Sequence, residues 1–143
     1  MYTPSIRKQN DKDYIFCVWR RKFVRLTPEE WVRQNFLHAL VEQGFPEEKI
    51  AVEAPIEVAD LKKRCDAIVY DNTLRPVCII EFKAPTVSLT QHVFDQVSVY
   101  NRRLHVAYFI LSNGKEHQAC EVSPTGYVHL PSLPSYQQLC QTR

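Results

Sequence analysis

The chain has 143 residues, of which 45% are hydrophobic and 24% are charged, and its formal net charge at pH 7 is +2. This composition excludes a disordered chain and fits a single packed domain, and the charge is too small to predict nucleic-acid binding by itself. No stretch has the length and apolarity of a membrane span or of a signal-peptide core.

The N-terminal part of the chain predicts an irregular arm followed by a hairpin. Residues 1–13 are polar and predict the arm, so the folded domain is expected to span residues 14–143. Two apolar runs at 14–18 and 23–26 predict the hairpin strands. The tip between them is basic: Arg20, Arg21 and Lys22.

A helix and an edge strand are predicted next. Thr27 is a good N-cap, Pro28 fits the first helical position and Gly44 can end the helix. Helical spacing predicts one apolar stripe: Val32, Phe36, Ala39 and Leu40. Residues 49–58 alternate between apolar and polar and predict a half-buried strand, which Pro55 favours at a sheet edge because proline cannot donate to a ladder.

The second half of the chain alternates strands with one further helix. Apolar runs predict strands at 66–70, 77–83 and 105–112, and shorter ones at 117–122 and 126–130. Residues 88–104 predict the helix, with Ser88 or Thr90 as its cap. Asn113-Gly114 predicts a turn. Helices interrupt the strands only in the middle, so we expect an α/β fold with a mixed central sheet and helices on both faces.

The cysteine pattern bears on the compartment. The five cysteines include no Cys-x-x-Cys pair, which predicts neither a disulfide framework nor a zinc cluster. Several lie inside apolar runs, where free cysteine acts as a small hydrophobe. We therefore expect a reducing compartment and a cytoplasmic protein.

Charged residues stand at the ends of the two central strands. Pairing Asp66 with Glu81 leaves a four-residue loop at 72–75, a common hairpin length. In that register both carboxylates and Lys83 project to one face of the sheet. Directly opposed side chains have Cβ atoms roughly 5 Å apart, so the carboxylates would repel each other.

Two interpretations of this pattern stay open. A divalent cation between Asp66 and Glu81 would remove the repulsion, and oxygen ligands of this kind suit Mg²⁺ or Mn²⁺. Lys83 would then orient a water molecule or neutralise charge that develops at phosphorus. Alternatively, this is a salt-bridged strand end in which Lys83 pairs with one of the two carboxylates.

Five segments in a fixed order carry a family resemblance. They are "RKFVRLTPEEWVRQNFL", "KRCDAIVYDN", "IIEFKAP", "FDQVSVYN" and "LSNG". With them the chain, over residues 14–140, resembles the N-terminal family of type I restriction enzyme R subunits (its short stand-alone branch) in the PD-(D/E)XK nuclease superfamily. The resemblance implies a restriction-endonuclease-like αβββαβ core and metal-dependent cleavage of phosphodiester bonds in DNA.

The resemblance also implies roles for individual residues. Asp66 and Glu81 would be metal ligands for Mg²⁺ or Mn²⁺, and Lys83 would be the catalytic lysine. Gln96 and Tyr100 match a Q-x-x-x-Y motif on the helix that follows the core strands, although Tyr100 also fits the apolar stripe of that helix. One departure is Cys65, which stands where the family often has proline.

Glu30 and the basic clusters have two readings each. Glu30 matches the glutamate that many such nucleases take from their first helix, but it also completes a capping box with Thr27. Lys62, Lys63 and Arg64 lead into Asp66 and are the best candidates for DNA phosphate contacts, or they form a solvated surface. No element predicts readout of base edges.

Three functions are compatible with these residues. The first is a Mg²⁺-dependent endodeoxyribonuclease that contacts the DNA backbone. The second is a non-catalytic nucleic-acid-binding or assembly module of a restriction or repair complex that retains the nuclease fold. The third is a structural domain with a salt-bridged hairpin. For the first two, a separate motor or specificity protein would be a further partner, because 143 residues hold no motor region.

Overall fold

The computed structural model describes residues 1–58 and 61–141, and of residues 54–58, 61–63, 100 and 102 it describes the backbone alone. The strands are β1 (Ile6–Gln9), β2 (Lys12–Cys17), β3 (Lys22–Arg25), β4 (Ile50–Val58), β5 (Leu61–Tyr70), β6 (Pro76–Phe82), β7 (Tyr108–Ser112), β8 (His117–Ser123) and β9 (Gly126–His129). The helices are α1 (Pro28–Glu42), α2 (Gln91–Leu104) and α3 (Tyr136–Gln141), with a short 3₁₀ helix at Glu47–Lys49.

The first three strands form a small antiparallel sheet in the order β1-β2-β3. The predicted irregular arm at 1–13 is therefore partly a strand. Asn10 and Asp11 turn the chain with φ of 53° and 63°, a left-handed conformation that these two residue types tolerate. All four residues of β1 are exposed, so the strand has no apolar alternation by which the sequence could have revealed it.

The small sheet docks on the outer side of α1. The imidazole of His38 stacks on the ring of Tyr2, with centroids 3.7 Å apart, and the ring of Trp19 lies 4.9 Å away. At the turn between β2 and β3, Arg20 reaches Glu30 at the start of α1. The N-terminal segment is thus joined to α1 by ring stacking and by an ion pair.

Helix α1 begins and ends as predicted. The hydroxyl oxygen of Thr27 accepts a hydrogen bond from the backbone N–H of Glu30 over 3.0 Å, and Pro28 occupies the first turn. Gly44 follows the helix with a φ of 111°, which few other residues adopt.

The buried face of α1 differs in part from the predicted stripe. Val32, Phe36 and Leu40 are buried as predicted, but Ala39 is exposed and Leu37 is fully buried. The helix lies against a broad sheet, so its apolar face is wider than one stripe and is centred nearer to Leu37.

The second sheet has six strands in the order β4-β5-β6-β7-β8-β9. Strands β6 and β7 are parallel and all other neighbours are antiparallel, so the sheet is mixed, as predicted. Strand β4 is at an edge, in agreement with its proline. From α1 to β7 the order of elements is αβββαβ.

Helices cover both faces of this sheet. On one face, Ile80 and Phe82 of β6 share a buried cluster with α1. On the other face, Ile79 packs with Val93, Phe94 and Val97 of α2. Because side chains alternate along a strand, Glu81 belongs to the α2 face. In the described part of the chain no helix is long and apolar enough to cross a membrane.

The register of the β5–β6 hairpin is the predicted one up to its turn. Ala67 pairs with Ile80 and Val69 with Cys78. The pairing then shifts, because Tyr70, and not Asp71, pairs with Pro76. The turn is one residue longer than predicted, and the Asp71 carboxylate stabilises it by accepting hydrogen bonds from the backbone N–H groups of residues 73 and 75.

Candidate functional site

Asp66 and Glu81 lie side by side where the β5–β6 ladder ends, one residue beyond the Ala67–Ile80 pair. Their side chains interact with each other. Oδ2 of Asp66 accepts the backbone N–H of Phe82 over 2.8 Å. Burial, and then the charge of Asp66, raise the pKa of Glu81 well above its usual range. Oε2 of Glu81 is buried and finds no hydrogen-bond partner in the described residues.

Lys83 directly follows β6, and its backbone N–H donates to the carbonyl of Ser112 over 2.9 Å. Its ammonium has no carboxylate within 4.0 Å in the part of the chain that the structure describes. The alternative in which Lys83 pairs with Asp66 or Glu81 is therefore not what the structure contains. Among the described residues, the Lys83 ammonium forms no ion pair, so its charge is available for a binding or catalytic role.

The cation that does pair with Asp66 is Arg33, which the sequence analysis did not select. Its side chain is only 3% exposed. Its guanidinium lies 2.9 Å from Oε1 of Glu53, 3.4 Å from Oδ1 of Asp66 and 3.5 Å from Oε1 of Glu30. The sequence signal for Arg33 was its position on α1 next to Val32, because a residue beside the apolar stripe of a helix is expected to be buried.

Glu53 reaches this cluster from the edge strand. It stands opposite Asp66, between the pairs Val52–Ala67 and Ala54–Cys65. Its φ of 57° is left-handed, a costly conformation for glutamate that persists only where surrounding contacts hold it. Burial opposes ionisation, but the hydrogen bond and charge of Arg33, together with Arg20 and Arg64, outweigh it and lower the pKa of Glu53.

Glu30 is only half of the predicted capping box. Its backbone N–H is capped by Thr27, but its carboxylate does not reach back to the cap. It is buried instead between Arg20, at 2.5 Å, and the amide Nε2 of Gln34, at 2.9 Å, with Arg33 beyond. The capping box therefore does not explain the side chain, and its role as a metal ligand stays a prediction.

The neighbouring Glu29, for which the sequence predicted no role, interacts electrostatically with Asp66. Burial, and then the negative charge of Asp66, raise its pKa, while Arg33 and Lys83 act in the opposite direction. Glu29 forms no ion pair within 4.0 Å among the described residues. Of the two adjacent glutamates, Glu30 pairs with Arg20 and Arg33, whereas Glu29 interacts with Asp66 and Lys83.

The remaining predicted residues stay predictions. Gln96 is exposed on α2, and its amide lies 3.5 Å from the Nε2 atom of His92. The side chains of Tyr100, Lys62 and Lys63 lie outside the described residues. Arg64 is 73% exposed and lies 3.5 Å from Glu53.

The Asp66–Glu81 pair suits a magnesium ion in its donor chemistry. Mg²⁺ in proteins is commonly bound through one or two carboxylates and keeps several water molecules. The buried Oε2 of Glu81 lacks a partner that a cation would supply. Among the described residues no group of three Asp, Glu, His or Cys side chains could hold a metal alone, so water or phosphate oxygens would have to complete its shell.

A groove of about 400 Å³ lies elsewhere, along α1 and the turn after β7. It is lined by Trp31, Val32, Asn35, Phe36, Ala39, Pro85, Ser112, Gly114, Lys115 and His117. None of the clustered carboxylates lines it.

Comparison with known proteins places this geometry in a family. The family described as "Type I restriction enzyme R protein N terminus (HSDR_N)" matches residues 28–134. A solved structure of a fragment of an HsdR subunit of a type I restriction enzyme from Vibrio vulnificus YJ016 superposes with a TM-score of 0.63 at 17% identity. The match covers 80% of this chain and 24% of that one, so the chain spans about a quarter of that structure, and at this identity the likeness concerns the fold alone. None of the curated proteins compared with the sequence matches it.

Proposed function

The chain belongs to the family of the N terminus of type I restriction enzyme R proteins, and we propose that it is a metal-dependent nuclease that hydrolyses phosphodiester bonds in DNA. One observation carries the proposal. The side chains of Asp66 and Glu81 interact at the end of two central strands, and the Lys83 ammonium acts on Glu81 but has no carboxylate within 4.0 Å among the described residues. Two carboxylates and a lysine in this order are what the PD-(D/E)XK resemblance implies.

Each residue has a role in this proposal. Asp66 and Glu81 would hold one Mg²⁺ or Mn²⁺, which supplies Lewis-acid stabilisation at the scissile phosphate. The hydrogen bond from Phe82 fixes the orientation of the Asp66 carboxylate. Lys83 would orient the attacking water and neutralise the charge that develops at phosphorus in the transition state. Gln96 and Tyr100 remain candidates that the resemblance alone supports.

A nucleic-acid backbone is the substrate that the chemistry of the surroundings favours, and the family relationship favours DNA. The exposed Arg64 follows Lys62 and Lys63 on β5 and would contact backbone phosphates next to the site. Phosphate contacts of this kind carry no sequence information, so cleavage by this chain would be non-specific unless a partner selects the site. A motor or specificity protein is the partner that the family relationship suggests.

A second function has a specific observation in its favour. Arg33 already compensates the charge of Asp66 without any metal. A domain in which that ion pair has replaced the metal would keep the fold and bind nucleic acid or assemble with partners without cutting. The unpartnered oxygen of Glu81 is the observation against it.

A cleavage screen separates the two functions. Purified protein would be incubated with single-stranded, double-stranded and branched DNA in Mg²⁺, in Mn²⁺ and in chelator. Nicking or cutting that needs the divalent ion and is lost in Lys83→Ala supports the nuclease. DNA binding without cleavage of any of the three substrates, in either ion, would support the non-catalytic module.

A further inference from the structure

We propose that the site binds a single divalent cation, and that Arg33 sets this number by occupying the side of Asp66 where a second cation would bind. The inference rests on the proposed function, because it concerns the same carboxylates. It adds a positioning residue and a metal stoichiometry that the family relationship does not give.

The two oxygens of Asp66 face different surroundings. Oδ2 accepts the N–H of Phe82 at 2.8 Å. Oδ1 faces Nη2 of Arg33 at 3.4 Å. An oxygen that accepts one hydrogen bond keeps a second lone pair. The Oδ2 side is therefore open to a cation, while a cation on Oδ1 would meet the guanidinium.

The other carboxylates of the cluster are already engaged by arginines. Glu30 pairs with Arg20 and Arg33, and Glu53 pairs with Arg33 and with Arg64. A second divalent ion would need ligands from this set, and each ligand it took would leave a buried guanidinium with less compensation. Arg33 is only 3% exposed, so moving it aside would require the residues packed around it to move as well.

Glu29 does not supply the missing ligand. It borders Asp66, but Arg33 and Lys83 are the cations that act on it. A second divalent ion between Glu29 and Asp66 would stand next to both of these positive side chains. Charge repulsion from Arg33 thus opposes a second ion both at Oδ1 of Asp66 and between Glu29 and Asp66.

The test is the number of Mn²⁺ ions bound by the whole chain, counted by electron paramagnetic resonance of free Mn²⁺ and by calorimetry. We expect one ion per chain. Two ions on the unchanged protein would overturn the inference alone and leave the proposed nuclease standing. No bound ion would overturn the metal site itself, and the inference with it.

Three variants test whether Arg33 sets the number. Arg33→Met should raise the count from one to two, a twofold change, and a count that stays at one would contradict the role of Arg33. Arg20→Met is the matched control: it removes the other arginine of Glu30 without touching Asp66, and its count should stay at one. Arg33→Lys keeps the charge and should also bind one ion. If Arg33→Met does not fold, two ions on Arg33→Lys or on Arg20→Met would still overturn the inference.

Discussion

The backbone N–H of Phe82 donates to Oδ2 of Asp66, so a side chain of β5 holds β6 where the backbone ladder between the two strands stops. The same carboxylate contacts Arg33 through its other oxygen. Asp66 is therefore both a structural residue and the proposed ligand, and any substitution at this position has to be designed to separate the two roles.

Asp66→Asn makes that separation. The amide oxygen can still accept the N–H of Phe82, but the negative charge is lost. We expect a folded protein with weaker Mn²⁺ binding and no cleavage, because a carboxylate ligand contributes charge as well as an oxygen. Calorimetry measures the affinity and thermal unfolding checks the fold. Asp71→Asn at the other end of β5 is the control: it should loosen the turn and leave the Mn²⁺ affinity as it was.

Glu30→Gln distinguishes the capping box from the buried charge cluster. Glutamine serves as well as glutamate at this position of a capping box, so a capping role predicts little change. The structure pairs Glu30 with Arg20 and Arg33, and breaking a buried ion pair costs about 3 kcal/mol or more. We expect that loss in the free energy of unfolding measured with urea. Glu29→Gln, the adjacent change, should leave stability nearly unchanged, and equal effects of the two changes would contradict this assignment.

Lys83→Ala tests the proposed catalytic role. The ammonium has no carboxylate partner within 4.0 Å in the described residues, so its removal should hardly alter the melting temperature. If it acts in the transition state, cleavage should fall by about 10²- to 10³-fold while DNA affinity is kept. Parallel measurement of melting temperature, DNA binding and Mg²⁺-dependent cleavage checks this. A strongly destabilised variant would show instead that Lys83 is a structural counter-ion.

His38 makes stability depend on pH. Burial lowers its pKa from the ordinary value of 6.5, and its Nε2 is buried without a partner in the described residues. The unfolded chain then binds more protons than the folded one just below that value, so stability should fall as the pH drops from about 8 to about 5. His38→Phe keeps the stacking on Tyr2 and should reduce this slope in urea unfolding. His92→Gln on exposed α2 should keep the slope of the original chain, and a slope unaltered in both variants would exclude His38 as its source.

Much of the fold was accessible from the sequence because its signals are local. The cap at Thr27, the glycine after α1 and the alternating apolar run of β4 each depend on neighbouring residues. The pairing of β5 with β6 was also predictable, because a short hairpin loop leaves few registers. Strand β1 was missed because Ile6 is its one apolar residue, all four of its residues are exposed, and it is held by pairing with β2.

The site was only partly accessible for a related reason. Asp66, Glu81 and Lys83 belong to one hairpin, so strand periodicity and the hairpin register were enough to predict that they lie near each other. Arg33 depends on carboxylates from α1, β4 and β5, and its strongest contact is with Glu53, whose left-handed backbone no pattern announces. Periodicity can show that an arginine will be buried, but not which acids from distant segments will meet it.

The small N-terminal sheet bears on where the boundary of this domain should be drawn. The residues shared with the family begin at Pro28, just after the turn that carries Arg20. A chain trimmed to that shared region would lose the closest cation of Glu30 and the ring that covers His38. The N-terminal segment thus supplies contacts to buried groups of the family's shared region, and engineered fusions or transplants of this domain should include it.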